Sequence, residues 1–559
     1  MNKKGRQWMA MLLTAAMTLG MAAGCGNSEP ATGNDTTQAS PASDADGGSA
    51  SGEAGDTSED KAASGSEAAD SEGAGKAEAA GVDWEDILDI NVLYVSMGPV
   101  PSGLEAVEAA VNEITEKEIN THVNLEIYEI GSYDQQVNLM MSSGEPLDLI
   151  LTLPGGSASY TTMRSQGQLQ DITDLLAEYG QGILDTVGDL AEATTVDGAI
   201  YAVPTYRDIS TSQYIIMRTD VLEDLGLLEK AMNMTSMDEY EEILKAVSES
   251  DQWSTLTPIV SSGAGLMIFT AGGGCIGENN FSDMTSFDLL GDTLSLVSVA
   301  PDGQDPTVKL TYSTDEYRKM YEWAKDWYDK GYVYKDAATE PSTGSELIKN
   351  NVGFSFITDG EYGIEQAQEV ECGMPVTCVK IQSYPITTGS CTKFTWGVPS
   401  TSKEPEAAVA FLNMMYTDSR ICNLMAWGIE GVDYEVTDGV AHYIEGNENP
   451  AYHMNDYQVG NQFLVTPWDG SEADRRDITK KIMDETPVSA YLGFSADLSS
   501  VTNEVSAANN VLAEFRAQIE TGMASEEVYA DFQQRLESVD ADKIVACYQE
   551  QLDAWLSQQ

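Results

Sequence analysis

Tyr206, Arg207 and Asp208 follow directly on the run VDGAIYAVP (residues 196–204), so a phenol, a guanidinium and a carboxylate occupy consecutive positions. Three such groups in a row are awkward as core, because a buried polar group left without a partner costs about 1–3 kcal/mol. They suit a polar solute instead. The phenol offers a ring face and a hydroxyl, Asp208 accepts hydrogen bonds, and Arg207 would clasp a carboxylate if the solute is anionic. A second set lies in PGGSASY (residues 154–160), where two glycines let backbone approach a ligand and Ser157 and Tyr160 supply hydroxyls.

Covalent and metal chemistry find no comparable pattern. His122, His442 and His453 lie outside any H-E-x-x-H motif, and Ser157 and Ser495 lack the G-x-S-x-G setting. No G-x-x-x-x-G-K-[ST] loop is present, and none of the seven cysteines forms a C-x-x-C pair. Neither catalytic residues, a metal site nor a cofactor is expected. With 91 Asp and Glu against 29 Lys and Arg, the formal net charge is −62. That excludes a nucleic-acid surface, which needs clustered cations.

The chain opens with Lys3, Lys4 and Arg6 before an apolar run from Trp8 to Ala23, the layout of a secretory signal peptide. The run is shorter than the roughly 20 residues that span a bilayer comfortably. Ala22-Ala23-Gly24-Cys25 resembles a bacterial lipobox, with Ala22 where Leu is commonest. The resemblance implies cleavage before Cys25, acylation of its thiol (palmitate being a typical chain), and a protein held at the outer face of the cytoplasmic membrane by lipid alone. From Gly26 to Gly81 there is no Phe, Trp or Tyr, and Lys61 and Lys76 are the sole cations. Such a segment cannot bury enough apolar surface to order itself, and is predicted to be an acidic tether.

Elements able to position the polar groups begin near Ile90. Residues 90–95 read as a strand, and the next helix aligns Leu104, Val107, Val111 and Ile114, with Ser102 and Glu105 at capping-box spacing. Val123, Leu125 and Ile127 alternate in a second strand, a helix follows to Ser143, and LDLILTL is a third strand. This order predicts an α/β fold with parallel strands covered by helices, whose ligand loops lie beyond the strands' carboxyl ends. Glu316–Val333 repeats its aromatics at helical spacing through Tyr317, Tyr321 and Ala324 and reads as a core helix. Cys275, Cys372, Cys378, Cys391, Cys422 and Cys547 read as mostly buried small hydrophobes. The length after the tether calls for two lobes.

Three segments in this order, SSGEPLDLILTLPGG, QGQLQDITDLL and VDGAIYAVP, resemble the extracytoplasmic solute-binding proteins of ABC importers, of the family-1 type that includes sugar binders. NNVGFSFITDG is similar to that family's second-lobe strand, which places Asp359, Glu361 and Tyr362 near solute. WGVPSTSKEPEAAVAFLN and the following NLMAWGIEGVDY look like the return to the first lobe. YLGFSADLSSVTNEVSAANN and the terminal DKIVACYQEQLDAWL resemble a C-terminal domain of unknown function found on a Gram-positive subset.

The resemblance implies a two-lobed periplasmic-binding-protein-like fold of type II. Its parts are a signal peptide (1–24), a tether (25–82), a first lobe (83–205 with about 390–470) and a second lobe (206–389 with about 471–559). It implies a monomer that closes on a solute, an oligosaccharide above all, and hands it to ABC permease subunits. Ligand candidates near strand ends and lobe crossings are Ser157, Tyr160, Tyr206, Arg207, Asp208, Asp359, Tyr362, Trp396, Trp427 and Tyr434. A secreted glycoside hydrolase and a surface adhesin are the rival readings.

Overall fold

Alternation decides which face each outer strand buries. In the computed structural model Thr121, Val123, Leu125 and Ile127 point inward while their neighbours stay half exposed. The described residues are 82, 84–261, 265, 266, 268, 269, 274, 275, 278–292, 294–447 and 449–559. The leader, Cys25 and the tether lie outside them.

In chain order the strands of the two main sheets are β1 (Leu88–Ser96), β2 (Thr121–Glu129), β3 (Leu149–Thr152), β4 (Val203–Pro204), β5 (Ser212–Arg218), β6 (Thr257–Ile259), β7 (Gly353–Gly360), β8 (Val376–Ser383) and β9 (Thr395–Gly397). The first sheet has the order β2-β1-β3-β9-β4. β1 runs parallel to β2 and β3, whereas β9 is antiparallel to β3 and β4. The second sheet is β8-β5-β7-β6, with β5 antiparallel to both its neighbours and β7 parallel to β6. Both sheets are therefore mixed, and the parallel strands expected at the start form one half of the first. β1 is buried without interruption from Val92 to Ser96, as a strand covered on both faces must be.

The helix Leu104–Ile119 buries Val107, Val111, Thr115 and Ile119, with Leu104 and Ile114 at the margin of the stripe. Its N-cap is Gly103, without a side-chain cap, so the Ser102–Glu105 capping box does not form. The reason is tertiary. Gly103 N donates to Ala451 O at 2.8 Å, which starts the helix one residue too late for the Ser102 hydroxyl to serve it.

Two large cores result. One gathers residues from β1–β4 and β9 with Phe411, Leu412 and Met415 of the helix Pro405–Thr417; it includes Tyr206, Ile209 and Ile386, and continues to Met483. The second lies on one face of the other sheet, with Tyr317, Tyr321, Ala324 and Trp327 of the helix Asp315–Asp329. A smaller cluster around Ile216, Phe356 and Ile364 covers that sheet's opposite face. The cysteines Cys372, Cys378, Cys391, Cys422 and Cys547 carry free thiols, and the first, third and fourth are buried.

The chain passes between the cores three times, and the passages hydrogen-bond to one another. Thr205 N donates to Phe394 O (3.0 Å), Tyr384 N to Thr211 O (2.9 Å), Ile386 N to Pro487 O (2.8 Å) and Ser489 N to Ile386 O (2.8 Å). Beyond the third passage, helices Thr502–Glu520, Glu526–Ser538 and Ala541–Leu556 join the second core through Ala508, Leu512, Phe515, Ile519, Ile544, Tyr548 and Leu552. Among the described residues no helix is long and apolar enough to cross a membrane.

Gly522, between the first two of these helices, has φ of 74°, and an added Cβ would collide with the backbone carbonyl of Ala324. Gly522→Ala is expected to cost roughly 2 kcal/mol or more through strain and overpacking. A lower urea midpoint with unchanged slope is the readout; an unchanged midpoint would contradict this packing.

Candidate functional site

The first passage carries the site. Tyr206 is clamped by backbone, its N–H donating to Gly460 O (2.8 Å) and its carbonyl accepting from Gln462 N (2.9 Å). Its ring meets Phe463 edge-on at 5.1 Å, and its hydroxyl accepts from Lys480 Nζ at 3.0 Å. Arg207 is buried, and desolvation lowers its pKa. Two of its five N–H groups are committed, Nη1 to Asp208 O (2.9 Å) and Nη2 to Ser390 O (3.3 Å), and the guanidinium lies 5.5 Å from the Phe394 ring centre. Asp208 accepts from both the N–H and the hydroxyl of Ser210 through Oδ1, while its buried Oδ2 has no partner among the described residues.

The carboxyl end of β7 supplies the facing groups. Asp359 Oδ1 accepts from Tyr384 Oη at 2.7 Å, and burial pushes its carboxyl up to about 6 against the pull of that bond and of Lys393. Glu361 is half buried and makes no side-chain hydrogen bond among the described residues. Burial and the neighbouring Asp208 charge push it up to about 7, opposed by Arg207, Lys393 and Arg475. Arg475 donates from Nη2 to Tyr362 O (2.8 Å) and stands 5.7 Å over the Tyr362 ring.

Lys393, on the second passage, is reached by water yet surrounded by protein, and desolvation with the Arg207 charge holds its ammonium below the usual lysine value. It has no hydrogen bond or ion pair among the described residues.

Three carboxyls thus face three cations, and several of these groups have hydrogen-bonding capacity that the protein leaves unmet. The same holds for the Tyr457 hydroxyl and both polar atoms of the Gln458 amide; the Tyr457 ring packs on Phe394 at 4.9 Å, beside Arg207. Buried polar groups are normally paired, so several unpaired ones near one another make this the candidate site. Carboxylates accept from hydroxyls and an ammonium donates to them, which fits a neutral polyhydroxylated solute. An anionic solute would meet Asp208, Asp359 and Glu361, and the guanidinium expected to clasp it is partly spent on backbone carbonyls. Among the described residues no group of His, Cys, Asp or Glu is arranged to hold a metal ion.

Tyr206, Arg207, Asp208, Asp359 and Tyr362 are brought together in this way; the other sequence candidates stand elsewhere. Trp396 is wholly buried and its indole N–H donates to Gln458 O (2.8 Å), so it supports the site from the core instead of facing solute. Tyr160 is buried with its hydroxyl on Thr194 O (2.9 Å), and Tyr434 is buried in the same core. Trp427 is buried with its N–H on Thr466 O (2.9 Å). Ser157 lies on the loop after β3, tied to Asn138 (2.7 Å) and Asp134 (3.1 Å). Aromatics near strand ends mostly turned inward because a large ring gains more from burial than from exposure.

Lys393, Arg475, Tyr457 and Gln458 were missed. Lys393 had a signal, since a lone lysine inside CTKFTWG is conspicuous in a chain so poor in cations. Arg475 had none, because RRDITKK reads as a solvated helix face until the third passage returns it to the cluster.

The raised carboxyls make a pH test. Asp359 and Glu361 hold protons more tightly folded than unfolded, so the stability they contribute is fully present near pH 4 and is lost as pH rises to about 7. The melting temperature of the ligand-free protein should therefore rise on acidification from pH 8 to pH 5, and Glu361→Gln should flatten part of that rise. Superimposable wild-type and Glu361→Gln profiles would contradict the burial described.

Residues 109–429, more than half of the chain, match the family model for bacterial extracellular solute-binding proteins, and residues 490–557 match a domain of unknown function. A carbohydrate ABC transporter substrate-binding protein of Streptococcus pneumoniae serotype 4 is 24% identical over 82% of this chain and 90% of its own. The crystal structure of NgtS, an N-glycan transport solute-binding protein of Streptococcus pneumoniae, superimposes with a TM-score of 0.69 at 21% identity, over 84% of this chain and 99% of the other. NgtS complexes with Man1GlcNAc and Man5GlcNAc match at 0.60 and 0.58, both at 20% identity over the same shares of the two chains. A Bifidobacterium longum infantis solute-binding protein described as binding HMO matches at 0.56 and 15% identity, over 84% and 99%. With its two mixed sheets, paired chain passages and the family match across both, the chain belongs to the bacterial extracellular solute-binding proteins.

Proposed function

We propose that this protein captures a neutral oligosaccharide between its lobes and presents it to an ABC permease, without cleaving it. The observation that carries the reading is the charge-balanced group at the passages, with Asp208 Oδ2 and the Glu361 and Lys393 side chains lacking hydrogen-bond partners among the described residues. A sugar has donors and acceptors all round its ring and can satisfy such a set without bringing a charge into it. The relatives support the class: the streptococcal one is named for carbohydrate transport, and NgtS has been solved with mannose-containing N-glycan fragments.

Closure follows from the construction. Arg207, Asp208 and Lys393 sit on the passages, Asp359 and Glu361 on the second sheet's side, and Tyr206 is fixed to the first core. A solute bonded to both sides stabilises the closed form by its differential contacts, and that form is the one a permease would read. Acylated Cys25, with a monomeric ectodomain on the tether that follows it, would hold the protein at the outer face of the membrane and raise its effective concentration near the permease.

The test is a thermal melt of the soluble chain beginning after Cys25, with Man1GlcNAc or Man5GlcNAc, followed by chromatography of the sugar. A ligand at 100 times its dissociation constant adds about 2.7 kcal/mol of stability, a shift of several degrees. Lys393→Met is expected to weaken binding by about tenfold or more, as the loss of a hydrogen bond to a charged group does. Shortened sugar would mean a hydrolase, and no shift with either sugar would count against the reading.

A further inference from the structure

One cation of the site is rooted in a different core from the groups it serves. Arg475 opens the helix Arg475–Glu485, and that helix is fixed to the first core. Met483 is buried there, Lys480 Nζ donates to Tyr206 Oη (3.0 Å), and the neighbouring Arg476 donates to Val465 O (3.0 Å) and pairs with Asp456. The Arg475 guanidinium leaves that core. It reaches the turn at residues 361–363, between β7 of the second sheet and the helix Ile364–Cys372, whose Ile364 belongs to the small cluster on that sheet. There Nη2 donates to Tyr362 O (2.8 Å), and the guanidinium lies 5.7 Å from the Tyr362 ring centre.

The turn is shaped to receive it. Gly363 has φ of 82°, and a Cβ added there would collide with Arg475 Nη1. Gly470, in the segment leading to Arg475, comes as close to the following helix, since an added Cβ would lie 2.8 Å from Gln366 Nε2. Charge points the same way. Glu361 is faced by Asp208, Arg207, Lys393 and Arg475, and the Arg475 charge opposes the rise that burial imposes on both Glu361 and Asp208. Arg207 is committed to the carbonyls of Asp208 and Ser390, and Lys393 stands on the second passage. Of the three cations, Arg475 is the one hydrogen-bonded to the turn itself among the described residues.

We propose that Arg475 is a positioning residue: held by the first core, it fixes the turn that carries Glu361 and Tyr362 on the second sheet's side and sets a positive charge beside Glu361. It acts on the solute through those two residues. A carboxylate held in place accepts a charge-assisted hydrogen bond from a sugar hydroxyl, and a displaced or protonated one does not. This rests on the oligosaccharide reading above and adds to it that the two sides of the site are set to one another by a side chain as well as by the backbone of the passages.

The experiment compares wild type, Arg475→Met and Arg475→Lys in the soluble chain after Cys25, each first checked for a cooperative melt. Methionine keeps the length and loses the charge and the donors, whereas lysine keeps the charge without the planar fork. In calorimetric titration with Man5GlcNAc, Arg475→Met should weaken binding by about tenfold, as the loss of a hydrogen bond from a charged group does, and Arg475→Lys should recover part of it. The second readout needs no sugar. With one cation fewer, Glu361 keeps its proton to higher pH, so the rise in melting temperature on acidification should begin at higher pH in Arg475→Met than in wild type, with Arg475→Lys following wild type. A side chain that only packed on Tyr362 would lower the melting temperature of Arg475→Met equally at every pH. A parallel pH profile, or wild-type affinity, in Arg475→Met would overturn the positioning role and leave the function standing. If wild type does not bind Man5GlcNAc, the function fails and the pH profile alone decides Arg475: a displaced profile supports its hold on Glu361, and a parallel one overturns it.

Discussion

Backbone hydrogen bonds between the chain passages are what the rest of this structure depends on. Two separate cores leave a seam where extended backbone runs from one sheet to the other, and its amide groups must be paired or remain wet. Here the passages pair with one another, Thr205 to Phe394, Tyr384 to Thr211, and Ile386 to Pro487 and Ser489. Because these bonds lie in the seam, polar side chains between them are held at fixed positions outside the apolar cores, while Tyr206, Ile209 and Ile386 join the first core. Arg207, Asp208 and Lys393 occupy such positions, and Tyr384 orients Asp359 from another. The ligand site proposed above lies at this seam.

Electrostatics sharpen this placement. The chain is strongly acidic, and many of its cations sit in exposed pairs such as Arg420 with Glu118 and Lys245 with Glu249. Pairs of that kind contribute about 0–1 kcal/mol each. Arg207, Lys393 and Arg475 are spent differently. They pull the Glu361 carboxyl down against the raising effects of burial and the Asp208 charge. The site is neutral in sum inside a molecule that is not, which favours an uncharged solute over the anionic one that Arg207 alone suggested.

The C-terminal helices extend the second core without approaching the site. The buried Glu520 is paired with Arg516 (2.6 Å) and with the hydroxyl of Tyr317 (3.3 Å) on the core helix. The C-terminal region is thereby bound to the lobe and does not hang from it as a separate module.

Much of the fold was legible in the sequence. Alternation at Val123, Leu125 and Ile127 and the stripe through Tyr317, Tyr321 and Ala324 each name a buried face, because burial of a strand or helix follows a local period. The polar triplet Tyr206-Arg207-Asp208 also stood out in the sequence; all three are buried, and Tyr206 joins the first core. Local period says nothing about which distant segments meet. Asn120 could close the first helix by itself, but Gly103 displaced Ser102 as its cap because residue 451 lay beside it. Trp396 went to the core and Lys393, three residues earlier, to the cleft wall, although both flank the start of one strand. The arrival of Arg475 and Tyr457 beside Arg207 and Asp208 was decided by tertiary structure alone, because it depends on where the chain returns after more than 200 residues.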